Sequence, residues 1–200
     1  MQFLKNNGYA KKAALVLGLT VFFQAAGLPL MAGAFDQDRG GVSGVLDVLR
    51  ENRTGLGEVE ETRLAEVILG ESEKYKLDPL FVLALIKTES NFYNWSKSLN
   101  GALGLMQILP FTGKALAGEL NLKWKGDETL LDPYANVKMG IHYLSSLNER
   151  FNDINASLAA YNSGPTYFAS KTRDGDMVAQ NYVNKVLYNY KDLRERADYY

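Results

Sequence analysis

The sequence predicts a mainly α-helical domain with little or no β structure, and three observations carry that prediction. Apolar residues recur at helical spacing through most of the chain after Glu58. Two Leu-Asp-Pro starts, at residues 77–79 and 131–133, each place an Asp in the N-cap position and a Pro in the first helical position. No stretch alternates apolar and polar residues over the length of a strand.

Taken in order, the chain opens on Lys5, Lys11 and Lys12, an apolar run from Ala13 to about Leu30, and the small-residue signal Ala32-Gly33-Ala34. That pattern reads as a signal peptide over residues 1–34. An uncleaved membrane anchor is the competing reading, because the run approaches the ~20 residues a span requires. Export to the periplasm or cell envelope follows from the first reading, and anchoring there follows from the second. Residues 35–57 are rich in Gly and charge and read as a linker, with room for a short helix from Val45 to Arg50.

The domain proper is expected over residues 58–200. Residues 58–75 form a first amphipathic helix, with Val59, Leu64, Val67 and Ile68 placed near one face. Asp78 and Pro79 start the second, which runs through Leu83-Ala84-Leu85-Ile86 to Glu89 and Ser90. Asp132 and Pro133 start another, with Val137, Ile141, Tyr143, Leu144 and Leu147 at helical spacing. A shorter helix ends before Gly164-Pro165. The last runs over residues 177–196, with Val178, Tyr182, Val186, Tyr190 and Leu193 as its inner stripe.

Composition narrows the chemistry. The net charge of −1 becomes −4 without residues 1–34, which hold three Lys and no acid, so no basic footprint for nucleic acid exists. The absence of cysteine removes thiol nucleophiles, disulfides and Cys zinc sites. A single His, His142, leaves almost no scope for a His-based metal site or a Ser-His-Asp triad. Carboxylates, hydroxyls and amides remain.

Glu89 is the carboxylate in an unexpected place. On a helix from Pro79 it lies above Leu85 and Ile86, and above Val82 a turn earlier, so it shares a face with core residues. From this segment alone, a helix-end Glu turned to solvent and a Glu held there for use are equal readings. Gly101 and Gly104 bracket Ala102-Leu103 ahead of Leu105-Met106-Gln107, which permits a tight turn. Tyr161 and Asn162 close a small-residue helix; a Tyr there is by itself more often a core aromatic.

Together, Glu89-Ser90, Gly101-Ala102-Leu103-Gly104-Leu105-Met106-Gln107 and Ala160-Tyr161-Asn162-Ser163-Gly164-Pro165 resemble the signature of the soluble lytic transglycosylases. The resemblance runs from about Glu71 to Leu193. Leu103, Thr166 and Gln180 depart from the residues common at those positions, and none of them is the carboxylate.

The resemblance implies a lysozyme-like helical domain acting on the glycan strands of peptidoglycan, as a carbon–oxygen lyase. It implies cleavage of the β-1,4 bond between N-acetylmuramic acid and N-acetylglucosamine without water, leaving 1,6-anhydromuramoyl ends. One glutamate, Glu89, serves as acid and then as base. Such an acid must stay protonated near neutral pH, and burial against apolar residues at a helix C-terminus favours that.

By the same resemblance, Ser98 bonds the substrate, Gln107 lines the cleft floor, Tyr161 holds Glu89 through its hydroxyl and Asn162 orients the sugar. Of the aromatics Phe92, Tyr93, Trp95, Trp124, Tyr143 and Tyr167, most are expected in the core, and Tyr143 and Tyr167 are expected to face the glycan. No metal or other cofactor is implied. The chain is read as a monomer, with cell-wall or secretion machinery as further, unspecified partners. The alternatives are a goose-lysozyme-like muramidase that uses water and a non-catalytic glycan-binding module.

Overall fold

The computed structural model describes residues 41–171 and 177–197. The leader assigned to residues 1–34 lies outside them, as does the side chain of Val178. No helix among the described residues is long and apolar enough to cross a membrane.

The chain forms helices α1 (Val42–Arg50), α2 (Glu58–Tyr75), α3 (Pro79–Ser90), α4 (Pro110–Glu119), α5 (Asp127–Leu131), α6 (Pro133–Phe151), α7 (Ile154–Ser163), α8 (Pro165–Lys171) and α9 (Met177–Ala197). The only β pairing among the described residues is a pair of isolated bridges, Lys97 with Leu103 and Leu103 with Ile108. This is the mainly helical architecture expected.

α3 is the centre of the domain. Phe81 through Ile86 are all buried, so the helix is apolar all round and needs neighbours on every side. α9 and α2 pack on it, with α1 beside them; α6 and α7 close the bundle against α2 and α9. Asp78 starts α3 by accepting from the Leu80 amide at 2.8 Å. Its other oxygen receives the Tyr190 hydroxyl of α9 at 2.5 Å, so one carboxylate both caps and docks the helix. Asp132 caps α6 in the same manner, accepting from the amides of Tyr134 and Ala135 at 2.9 Å.

Two expectations are corrected. The described part of the presumed linker, 41–57, belongs to the fold. Val45 and Leu49, one turn apart on α1, are fully buried, and the Thr54 carbonyl accepts from the Asn94 amide at 2.9 Å. Val59 is 83% exposed rather than on the inner face of α2. Five positions at 3.6 residues per turn put it about 140° away from Leu64, and Ala65 takes the buried place. Asp127 and Glu128 form the first turn of the five-residue α5.

Candidate active site

Glu89 stands one residue before the end of α3, and the chain turns away sharply behind it. Asn91 and Phe92 both take left-handed backbone (φ 50° and 65°). Such a conformation is rare for a bulky residue and is held here by burying the Phe92 ring completely. Glu89 therefore sits at a helix terminus whose direction is fixed by the core below it.

The carboxyl is largely withdrawn from water. Burial is the dominant influence and pushes its pKa up to about 7, while the Tyr182 hydroxyl and the Lys185 ammonium pull it back down. Tyr182, on α9, donates its hydroxyl proton to Glu89 Oε1 in a short bond. Lys185, one turn further along α9, reaches the Thr88 carbonyl at 3.4 Å. Asn189 Nδ2 donates to Thr88 Oγ1 at 2.9 Å, and Lys87 pairs with Asp192 at the same distance. α9 thus grips the end of α3 through four residues spaced about one turn apart, Tyr182, Lys185, Asn189 and Asp192.

The Gly-bracketed turn is the second predicted element. Gly104 has φ +80°, and a Cβ there would lie 2.4 Å from both the Leu130 carbonyl oxygen and Asn136 Nδ2, so only glycine fits. Asn136 of α6, fully buried, makes the turn rigid. Its amide nitrogen donates to the carbonyls of Leu103 and Leu130, both at 2.9 Å, and its oxygen accepts from the Met106 amide at 2.8 Å. Tyr161 of α7 donates its hydroxyl to the Met106 carbonyl at 2.9 Å. Both polar groups of Met106 are therefore satisfied from two different helices, and the loop is held in one conformation.

This geometry corrects the role expected of Tyr161. The hydroxyl on Glu89 belongs to Tyr182, and Tyr161 holds the Met106 wall instead. Tyr161 remains close enough for the Glu89 charge to help raise its pKa well above 10, after burial. Tyr143 packs on it with ring centroids 5.2 Å apart, so Glu89, Tyr182, Tyr161 and Tyr143 form one cluster.

The other predicted residues fall into distinct places. Gln107, with φ +48°, donates from Nε2 to the carbonyls of Gly104 and Ser96 at 2.9 and 3.1 Å, so its amide nitrogen is used to shape the turn. Ser98 lies on the neighbouring turn, half-buried, where its Oγ accepts from the Ala102 amide at 3.0 Å and its hydroxyl proton is left for another acceptor. Asn162 is exposed at the end of α7, and no hydrogen bond ties it to the cluster. Tyr167 is 48% exposed on α8. No group of acids and His with metal-binding geometry occurs among the described residues.

Sequence reasoning missed Tyr182, placing it in the inner stripe of α9. Its spacing with Val186 matches that stripe, and the one available signal was that a buried Tyr hydroxyl needs a partner.

Residues 66–183 match the family described as the transglycosylase SLT domain. The chain belongs to this family. Among its relatives, the transglycosylase of Enterobacteria phage PRD1 is 32% identical over 126 residues, covering 62% of this chain and 42% of the phage protein. Membrane-bound lytic murein transglycosylase E of Buchnera aphidicola is 30% identical over 129 residues, covering 60% of this chain and 58% of that one. The SLT-domain chain thus spans less than two thirds of the length of either relative. In fold it resembles an inactive mutant of the lytic transglycosylase Slt from Pseudomonas aeruginosa, with a TM-score of 0.59, 24% identity, and coverage of 66% of this chain and 24% of that one.

Proposed function

We propose that this chain is a peptidoglycan lytic transglycosylase working in the cell envelope on the β-1,4 bond between N-acetylmuramic acid and N-acetylglucosamine. The observation that carries the reading is Glu89, a single carboxyl raised to about pKa 7 by burial and clustered with Tyr182, Tyr161 and Tyr143. Half of such a carboxyl is protonated at neutral pH, so it can give a proton and later take one.

In the first step Glu89 protonates the glycosidic oxygen as the bond from that oxygen to the anomeric carbon breaks. Tyr182 occupies Oε1, which leaves Oε2 to carry the proton. The 2-acetamido oxygen of the muramoyl sugar bonds the anomeric carbon from the opposite face and shares its positive charge. In the second step the carboxylate removes the proton from the carbon-six hydroxyl, whose oxygen replaces the acetamido oxygen at the anomeric carbon. The products are a 1,6-anhydro ring and a free carbon-four hydroxyl, with no net uptake of water. The Tyr182 bond steadies Glu89 as an anion between the two steps. Ser98 supplies a hydroxyl donor to the substrate, Asn162 an exposed amide, and the Gln107 turn the floor.

The test is Glu89→Gln in the full chain, assayed by release of soluble fragments from purified sacculi. The substitution keeps the side chain's size and removes its proton exchange. Loss of about a thousandfold or more in rate is expected, and retention of full activity would remove Glu89 from the mechanism.

A further inference from the structure

Between the Glu89 helix and the Gln107 turn runs the loop Asn91–Ser96, and its side chains alternate sharply in exposure. Phe92 and Asn94 are fully buried, whereas Tyr93 is 48% and Trp95 50% exposed. The buried pair anchors the loop: the Asn94 amide donates to the Thr54 carbonyl and its Nδ2 to the Leu131 carbonyl, both at 2.9 Å. The exposed pair is held as well. Trp95 Nε1 donates to the Gly55 carbonyl at 3.3 Å. A Cβ on Gly55 (φ +75°) would lie 3.0 Å from Trp95 Cδ1 and 3.1 Å from Tyr93 Cε2, so both rings rest on that glycine from two sides.

Two large aromatic rings are thus fixed in orientation while half of each faces water. Their ordering is already complete, and the open ring faces have apolar surface to lose. We propose that Tyr93 and Trp95, braced on Gly55, form a stacking platform that holds a sugar ring of the glycan strand away from the bond being cleaved. The proposal rests on the glycan-cleaving reading above.

The occupant follows from the setting. A pyranose offers a flat C–H face ringed by hydroxyls, which suits an apolar ring surrounded by water. The platform is also tied to the Gln107 turn: Ser96, next to Trp95, offers the carbonyl that accepts from Gln107 Nε2 at 3.1 Å and from the Gly104 amide at 3.0 Å. A strand gripped here is therefore held by a loop that leads directly from Glu89 and bonds the Gln107 turn.

The chain has two tryptophans, Trp95 and Trp124, so Trp124→Phe isolates the platform's fluorescence. In the full chain carrying Glu89→Gln and Trp124→Phe, titration with peptide-free glycan strands should shift Trp95 emission to the blue. In otherwise native protein, Trp95→Ala should raise KM for long strands about three- to tenfold with kcat unchanged. Trp95→Phe should restore most of that loss. Unmoved emission at saturating glycan together with an unchanged KM overturns the platform. Responsive emission in a chain whose wild type releases no anhydro ends leaves the platform standing and removes the lyase reading.

Discussion

Tyr182 donates its hydroxyl proton to Glu89 Oε1, joining two residues 93 positions apart and fixing the last helix of the domain on the end of its central one. The bond has two opposite consequences for Glu89. It stabilises the anion against a burial that favours the acid, and it occupies Oε1, leaving Oε2 without that donor. Tyr182→Phe should therefore lower kcat about ten- to a hundredfold, the range for a hydrogen bond to a charged group. The alkaline limb of the pH–rate profile should move upward, because the bond that lowers the pKa is gone. A lowered rate with an unmoved limb would mean that Tyr182 serves packing alone.

Lys185 lowers the Glu89 pKa by its charge and makes only one long contact, to the Thr88 carbonyl. Lys185→Met keeps the aliphatic stem and removes that charge. The alkaline limb should again move upward, here with little change in the maximal rate. Raising the salt concentration should produce a smaller shift in the same direction, because the ammonium is exposed and screened.

The buried wall should be intolerant of change. Asn136→Ala takes the side-chain partner from the Met106 amide and the Leu130 carbonyl and leaves the Leu103 carbonyl with the Ile108 amide alone, at a cost of about 3 kcal/mol. Gly104→Ala meets the Leu130 carbonyl and forces a left-handed φ on Ala, with a comparable loss. Urea denaturation of the two variants reads these values, and Gln107→Ala, which leaves the Ser96 and Gly104 carbonyls with their backbone donors, should cost less than either.

Glu89 should also weaken the fold as it ionises. Its folded pKa of about 7 lies above the ordinary 4.5, so the folded state holds the proton more tightly than the unfolded one. The contribution is fully present below pH 4.5 and is lost as pH rises through 7. Glu89→Gln has no such loss, so its stability advantage over the native chain should grow between those limits and level off above, reaching roughly 3 kcal/mol. Paired denaturation curves at pH 4.5 and pH 8 measure it.

Much of this was legible in the sequence because it was written in local rules. The Asp-Pro starts of α3 and α6 are caps with a mechanism, and the apolar run before Glu89 is long enough to identify a central helix. The ordered motifs singled out Glu89 and the Met106 turn before any distance was known. What escaped depends on contacts between distant segments. α1 has only two buried residues between glycine-rich flanks, and its role is visible only once α2 and α3 are in place beside it. The exchange of Tyr161 and Tyr182 has the same origin. Both are tyrosines on apolar helices, and which hydroxyl meets Glu89 is decided by how α9 crosses α3.

The most direct test of the central claim is mass spectrometry of the muropeptides that the full chain releases from purified sacculi. The account predicts products ending in 1,6-anhydromuramic acid, each lighter by one water than its reducing counterpart and absent from a Glu89→Gln digest. Reducing muramoyl ends without anhydro products would contradict it, because water would then have taken the place of the carbon-six hydroxyl.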